Sequence, residues 1–342
     1  MGKMGILIIK LGAIGDVLRT TAILPALKDR YKNCRISWVT KKEAFDILKN
    51  NDLINDIFLI ENNLKEKLND ESFDLIINFD DDFDACKLAS LFNYKKIIGA
   101  YLENNKRAYT KDSSSWFDMG LISKFGKKKA DELKASNKEA YQNILFKILN
   151  VNSEKYKIYE PQLILDKKNI EFAKHFSEKN NIGKNLVIGI NTGAGGRWQD
   201  KKLSIEDTIE LIDKLNNELK NVKLLLFGGP EEKERNNKIK NDIKTGIIDA
   251  GCENSLLEFA SLVNLCNVLV TSDSLAMHIG IALRKNIVCF FAPTSQQEIE
   301  LYGRGIKILP KKGCVCCYKP KCDITPEWDI DEFVDGVKRL VK

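Results

Sequence analysis

The sequence predicts an α/β protein made of two doubly wound halves, each a parallel sheet with helices on both faces. Short apolar runs of strand character alternate with helical patterns along most of the chain. The alternation lapses around residues 150–185 and then resumes on the same plan. A length of 342 residues suits two medium domains that each bury a core. The domains are therefore placed at 1–165 and 166–342.

In the first half, strands are expected at 6–9, 35–39, 57–60, 75–79 and 96–99, where Ile, Leu, Val and Phe suit a buried pleated surface. Helical patterns fall between them, most clearly at 17–28 and 83–92. After Tyr101 comes "LENNKRAYTKDSSSWFDMG", a polar excursion too long for a simple connection and of a kind often functional. "EAYQNILFKIL" restores a helix, and a linker with a short strand at "PQLIL" and a charged helix joins the halves. In the second half, strands at 186–190, 223–227, 246–248, 268–271 and 287–291 alternate with helices at 205–219, 231–244, 255–265 and 276–283. A last helix at 330–341 is expected to be able to pack back toward the first domain. Two facing sheets of this type would leave a cleft at the carboxyl ends of their strands, where open α/β sheets bind ligands.

Composition narrows the class. Hydrophobic residues make up 44% and charged residues 30%, the profile of a soluble globular protein. No apolar stretch approaches the roughly 20 residues of a membrane span. The first residues run straight into a strand, so no signal peptide is expected and the cytoplasm is the expected compartment. A net charge of +6 is too mild for a nucleic-acid binder, which would also cluster basic and aromatic residues. Lys106, Arg107, Lys111, Lys124, Lys127, Lys128, Lys129 and Lys134 do crowd one region. They read either as a solvated face or as an anion-binding surface, and the latter predicts loose, salt-sensitive association with a membrane surface.

"KLGAIGDVLRTT" (10–21) has the strand, glycine turn and helix that normally offer amides to a phosphate, yet it places Asp16 at the mouth. An acid there disfavours phosphate but stays ionised, so Asp16 reads as a proton acceptor, with helix capping as the plain alternative. Phosphate chemistry concentrates in the second half. "NTGAGGRWQDKKLS" offers Thr192, three glycines including Gly193, and the cations Arg197, Lys201 and Lys202. It matches neither the dinucleotide nor the Walker pattern. "LLLFGGPEE" ends a strand in two glycines with Glu231 and Glu232 at a helix start, where either acid could meet a ribose or simply favour the helix dipole. "VTSDSLAMHIGIAL" ends a strand at Thr271 and caps the next helix with Ser272 to Ser274, Asp273 among them. The amides near Ser274 to Ala276 suit a diphosphate, and His278, one of two histidines, follows about one turn in. The other, His175, sits in a charged helix and reads as solvated.

These blocks, with "ILIIKLGAIGDVLRTTAILPALK" and "FFAPTS", resemble glycosyltransferase family 9, the ADP-heptose:lipopolysaccharide heptosyltransferases, over nearly the whole chain. The resemblance implies a GT-B fold of two Rossmann-like domains, the first for the acceptor and the second for the nucleotide sugar. It also implies inverting transfer of a heptose or related sugar from a nucleoside-diphosphate sugar such as ADP-heptose, with no required metal or cofactor, to a lipopolysaccharide or lipooligosaccharide core at the inner face of the cytoplasmic membrane. By the same resemblance, Asp16 falls on the catalytic base and Lys201 on the lysine that contacts the donor phosphates. Thr192 and Gly193 fall in the donor loop with Arg197, and Asp273, Ser274 and His278 line the sugar and diphosphate site. Leu275 and Ala276 stand where many members have Gly-Pro, and leucine permits a less intimate backbone contact than glycine.

Two motifs stand outside this scheme. Asp80, Asp81, Asp82 and Asp84 follow a strand and open a helix, so capping accounts for most of them. Of nine cysteines, Cys34, Cys86, Cys252, Cys266 and Cys289 are expected to pack as small hydrophobes. Cys314 and Cys317 have zinc-type spacing that Cys316 and Cys322 could complete, although adjacent Cys316 and Cys317 make a regular knuckle awkward. A structural zinc at Cys314, Cys317 and Cys322, redox pairing and reduced thiols are the readings. For function, a GT-B sugar-nucleotide epimerase and a non-catalytic nucleotide-binding protein remain beside the transferase.

Overall fold

The computed structural model describes residues 3–60, 64–68, 72–196 and 198–342. Tertiary contacts divide the chain into two compact units, Met1–Ile164 and Leu165–Lys342. In the first, β1 (Met4–Ile9), β2 (Cys34–Thr40), β3 (Asp56–Leu59), β4 (Ser72–Asn78), β5 (Asn93–Glu103) and β6 (Lys106–Tyr109) form one sheet. Its order is β3-β2-β1-β4-β5-β6, parallel except for the β5–β6 pair. The second unit holds β7 (Leu186–Asn191), β8 (Val222–Phe227), β9 (Ile248–Asp249), β10 (Val268–Ser272), β11 (Asn286–Phe290) and β12 (Gly305–Ile308). Its sheet runs β12-β11-β10-β7-β8-β9, parallel throughout. Counted from its own first strand, each sheet has the order 3-2-1-4-5-6. Each is therefore a Rossmann-like sheet whose strand order reverses between its first and fourth strands.

The elements depart from the sequence expectation in five places. "PQLIL" forms no strand, because side chains meet its backbone: the Gln162 N–H donates to Thr21 Oγ1 at 2.8 Å, and the Ile164 carbonyl accepts from Asn50 Nδ2 at 3.1 Å. The helix expected at 17–28 is two helices, Ile14–Thr20 and Ile23–Arg30. Pro25 has no N–H to offer Thr21, and its ring would crowd that carbonyl, so the chain breaks before it and Pro25 lies in the first turn of the new helix. The polar excursion after Tyr101 is no single loop. β5 runs on to Glu103 and returns as β6 through Asn104 and Asn105, whose φ of 49° and 59° suit a two-residue hairpin turn. β9 lies two residues later than expected, and β12 is an unforeseen edge strand of only four residues.

The closing helix, Ile330–Val341, buries Phe333, Val334 and Val337 among Ile188, Val288, Phe290 and Ile308. Its apolar stripe is thus satisfied within the second unit. Ile188, Ile190, Leu224, Leu226, Val268 and Val270 carry that core on adjacent parallel strands. The first unit has its own core around Leu7, Ile9, Val39 and Ile76.

Candidate functional site

Three strand ends in the second unit enclose a cavity of about 630 Å³, within the size range of ordinary ligand pockets. The loop after β7 supplies Gly193, Ala194 and Gly195, the loop after β8 supplies Gly228 to Glu232, and the start of the helix after β10 supplies Ser274, Leu275 and Ala276. Asn191 ties two of these ends together. Its amide donates to Gly193 O at 2.8 Å and to Thr271 Oγ1 at 3.1 Å, and it lies 3.4 Å from Ser274 Oγ. Ser274 occupies the N-cap of helix Leu275–Ala282, but its side chain makes no capping bond there. The first helix amides therefore open toward the cavity, as an anion site requires.

The two glutamates separate. Glu232 is buried, pairs with Lys202 at 2.5 Å and accepts the Gly229 amide at 3.0 Å, so it closes its own loop. Gly228 is needed beneath it, because a Cβ there would stand 2.8 Å from Glu232 Cβ and 2.7 Å from Asn236 Nδ2. Glu231 is exposed on the cavity wall and faces the glycine loop at Gly196. Thr192 is buried. Its hydroxyl donates to Asn236 Oδ1 at 2.7 Å and lies 3.0 Å from Phe227 O, so it braces β7 against β8 and does not line the cavity. Arg197 lies outside the described residues.

Lys201, Asp273 and His278 form a second group at the end of β10. Lys201 Nζ donates to both Asp273 O and Asp273 Oδ2 at 2.9 Å, and Thr294 donates to the same carboxylate oxygen at 2.7 Å. Burial pushes the Asp273 carboxyl up, but Lys201, His278 and the Thr294 hydroxyl together hold it below the usual range. Asp273 is therefore a fixed anion between two basic side chains, next in sequence to the cavity-lining Ser274. Asn191, Cys252, Asn254, Leu256 and Phe259 also line the cavity or frame it, and none stood out in the sequence. Phe259 lies on an apolar helix and stacks edge-on against Phe227, which looks like core from composition alone.

In the first unit the glycine turn is already filled. Asp80 accepts the Gly12 amide at 3.0 Å and the Leu11 amide, and it pairs with Lys10. Asp80 is thus no cap; its carboxylate sits where a phosphate would sit. Only Asp82 caps the following helix, through the Ala85 amide at 3.0 Å. Burial works against the charge of Lys10, and Asp80, with Tyr141 and Asp16, more than restores it, leaving the lysine above its ordinary value.

Asp16 is not the N-cap either. That position belongs to Ala13, and Asp16 lies in the first turn, partly exposed, paired with Arg19 at 2.8 Å. Arg19 lies 3.8 Å above the ring of Tyr141, whose hydroxyl meets Thr20 Oγ1 at 2.9 Å. The carboxylate is held by a buried, aromatic-backed guanidinium.

Cys34, Cys86, Cys266 and Cys289 are buried, and burial pushes Cys86 and Cys266 to about 12. Cys252 is the exception, on the cavity wall. The sulfurs of Cys314, Cys317 and Cys322 lie within 4.8 Å of one another, with Cys317 and Cys322 at 3.7 Å; Cys316 is outside the group. Amides of Ile324 and Asp323 donate to Cys314 and lower its thiol. Among the described residues, no helix is long and apolar enough to cross a membrane.

Two Rossmann-like units, with the ligand-sized cavity in the second, make this a GT-B protein. The chain belongs to glycosyltransferase family 9 (heptosyltransferase), whose model matches residues 62–326. It is similar to the glycosyl transferase family 9 protein of Veillonella parvula DSM 2008 at 18% identity and TM-score 0.79, covering 99% of this chain and 97% of that one. It is similar to E. coli ADP-heptose lps heptosyltransferase II at 16% identity and TM-score 0.68, covering 99% and 98%. E. coli heptosyltransferase WaaC with ADP gives 17% identity and TM-score 0.62, covering 99% of each chain. No curated protein matches.

Proposed function

We propose that the protein is an inverting, metal-independent glycosyltransferase. It moves a heptose or related sugar from a nucleoside-diphosphate sugar, ADP-heptose in the first instance, to a lipopolysaccharide or lipooligosaccharide core. The observation that carries this reading is the contrast between the two glycine turns. The one in the first unit is filled by Asp80, whereas the three strand ends in the second unit surround an open cavity. The diphosphate then belongs on the amides from Ser274 to Ala276, with Lys201 and Arg197 as its cations. Glu231 is the carboxylate left to receive a ribose, because Glu232 is engaged by Lys202. Gly193 lets the loop backbone approach the donor, while Leu275 shapes the sugar end.

In the reaction, the acceptor hydroxyl oxygen forms a bond to the anomeric carbon as the bond to the diphosphate oxygen breaks. Asp16 takes the hydroxyl proton, and the departing diphosphate keeps the electron pair. Its growing charge is stabilised by Lys201 and the helix amides. His278 and Asp273 keep that lysine oriented. The first unit thus serves the acceptor and the second the donor. Exposed basic residues such as Lys106, Lys111 and Lys128 suit an anionic glycolipid and loose attachment at the inner membrane surface from the cytoplasm. The thiols of Cys314, Cys317 and Cys322 are assigned to a structural zinc ion that takes no part in the transfer.

The test is incubation with ADP- and UDP-sugars, each with and without lipopolysaccharide core acceptor. Transfer that needs both substrates supports the reading. Donor altered without acceptor indicates an epimerase, and binding without turnover indicates a nucleotide-binding protein.

A further inference from the structure

The cysteine loop is strapped to both partners of the Lys201–Asp273 pair. On one side, the Cys322 amide donates to Asp200 Oδ2 at 2.6 Å, and Asp200 precedes Lys201 in the one-turn 3-10 helix Gln199–Lys201. On the other, the Cys316 amide donates to Ala292 O and the Tyr318 amide to Pro293 O, both at 2.7 Å. The next residue, Thr294, donates to the Asp273 carboxylate. Cys316 and Tyr318 have φ of 59° and 51°, a left-handed backbone that non-glycine residues keep only where their surroundings hold it. Tyr318 is itself fastened, its hydroxyl donating to Glu298 at 2.8 Å.

The donor set fits a thiophilic divalent cation. The 3.7 Å between the Cys317 and Cys322 sulfurs is close to the edge of a tetrahedron with zinc–sulfur bonds of about 2.3 Å, roughly 3.8 Å. Three thiolates supply three of the four ligands zinc takes. Cys322 would be both a ligand and the residue whose amide holds Asp200.

We infer that this loop, closed on zinc, is the clamp that sets Lys201 for the donor phosphates, with Asp200 as a positioning residue. The inference rests on the zinc and donor assignments above and adds the mechanical link between them.

Zinc content and ADP affinity by titration calorimetry are compared for the wild type, Cys322→Ser, Cys316→Ser, Asp200→Ala and Asp200→Asn, with circular dichroism to confirm each is folded. The wild type and Cys316→Ser should each carry about one zinc, while Cys322→Ser loses it. Asp200→Ala should keep its zinc yet bind ADP about tenfold more weakly. Asp200→Asn should restore affinity, because its amide oxygen can still accept the Cys322 N–H. Unchanged ADP affinity in zinc-loaded Asp200→Ala overturns the clamp alone. A zinc-free wild type, two mass units light through a Cys317–Cys322 disulfide, overturns the zinc assignment and the inference with it. A wild type that does not bind ADP overturns the donor assignment.

Discussion

Asp80 and Lys10 are buried together, and neither is stable there without the other. Asp80→Ala would leave the lysine charge unmatched and two loop amides without their acceptor. Removing one partner of a buried pair typically costs about 3–5 kcal/mol, so urea unfolding should show a loss of that order. Asp16 makes a different demand, because it is partly exposed and its partner lies in its own helix. Asp16→Asn should lower turnover by about 10²–10⁴-fold, the usual size of a lost general base, while ADP affinity stays put. Near-normal turnover would remove Asp16 from the chemistry. Asp273 carries a pH signature. Its folded pKa lies below the value of about 3.9 for a free aspartate, so its stabilisation is complete above that value and is lost as pH falls through the folded pKa. Melting temperatures taken from pH 7 down to pH 3 should fall at the acid end in the wild type. In Asp273→Asn that part of the fall should disappear.

At the scale of elements, helix Ile330–Val341 offers the clearest test of packing. Phe333 is fully buried and touches Phe290, with ring centroids 5.5 Å apart. Phe333→Ala should therefore cost about 3–5 kcal/mol, read as a shift of the denaturant midpoint. Much of this level was legible in the sequence, since every strand foreseen except the short one at "PQLIL" has a counterpart in one of the two sheets. Runs such as 6–9 and 224–227 announce themselves because both faces of a parallel strand are buried. β6 was not legible, because its residues Lys106 and Arg107 are exposed and its pairing depends on a turn of two asparagines. The break before Pro25 could have been read from the proline. Site roles were harder: Glu231 and Glu232 look interchangeable in "GGPEE", and only the reach of Lys202 from another loop distinguishes them. Thr192 likewise has the sequence setting of a ligand contact, but its hydroxyl donates to Asn236, 44 positions away.

At the scale of the molecule, the two sheets share one strand order but carry different chemistry at the switch point. Hydrogen exchange with and without ADP should therefore be asymmetric. Protection is expected at residues 192–196, 228–232 and 274–278, with residues 10–16 unchanged. Protection at 10–16 in place of the second unit would overturn the donor assignment. The difference between the units comes down to one carboxylate seventy positions from the lysine it meets. A turn that brings its own anion asks for none from solution. Free phosphate finds the Leu11 and Gly12 amides already taken, so the turn of the first unit should stay silent when phosphate or nucleotide is added.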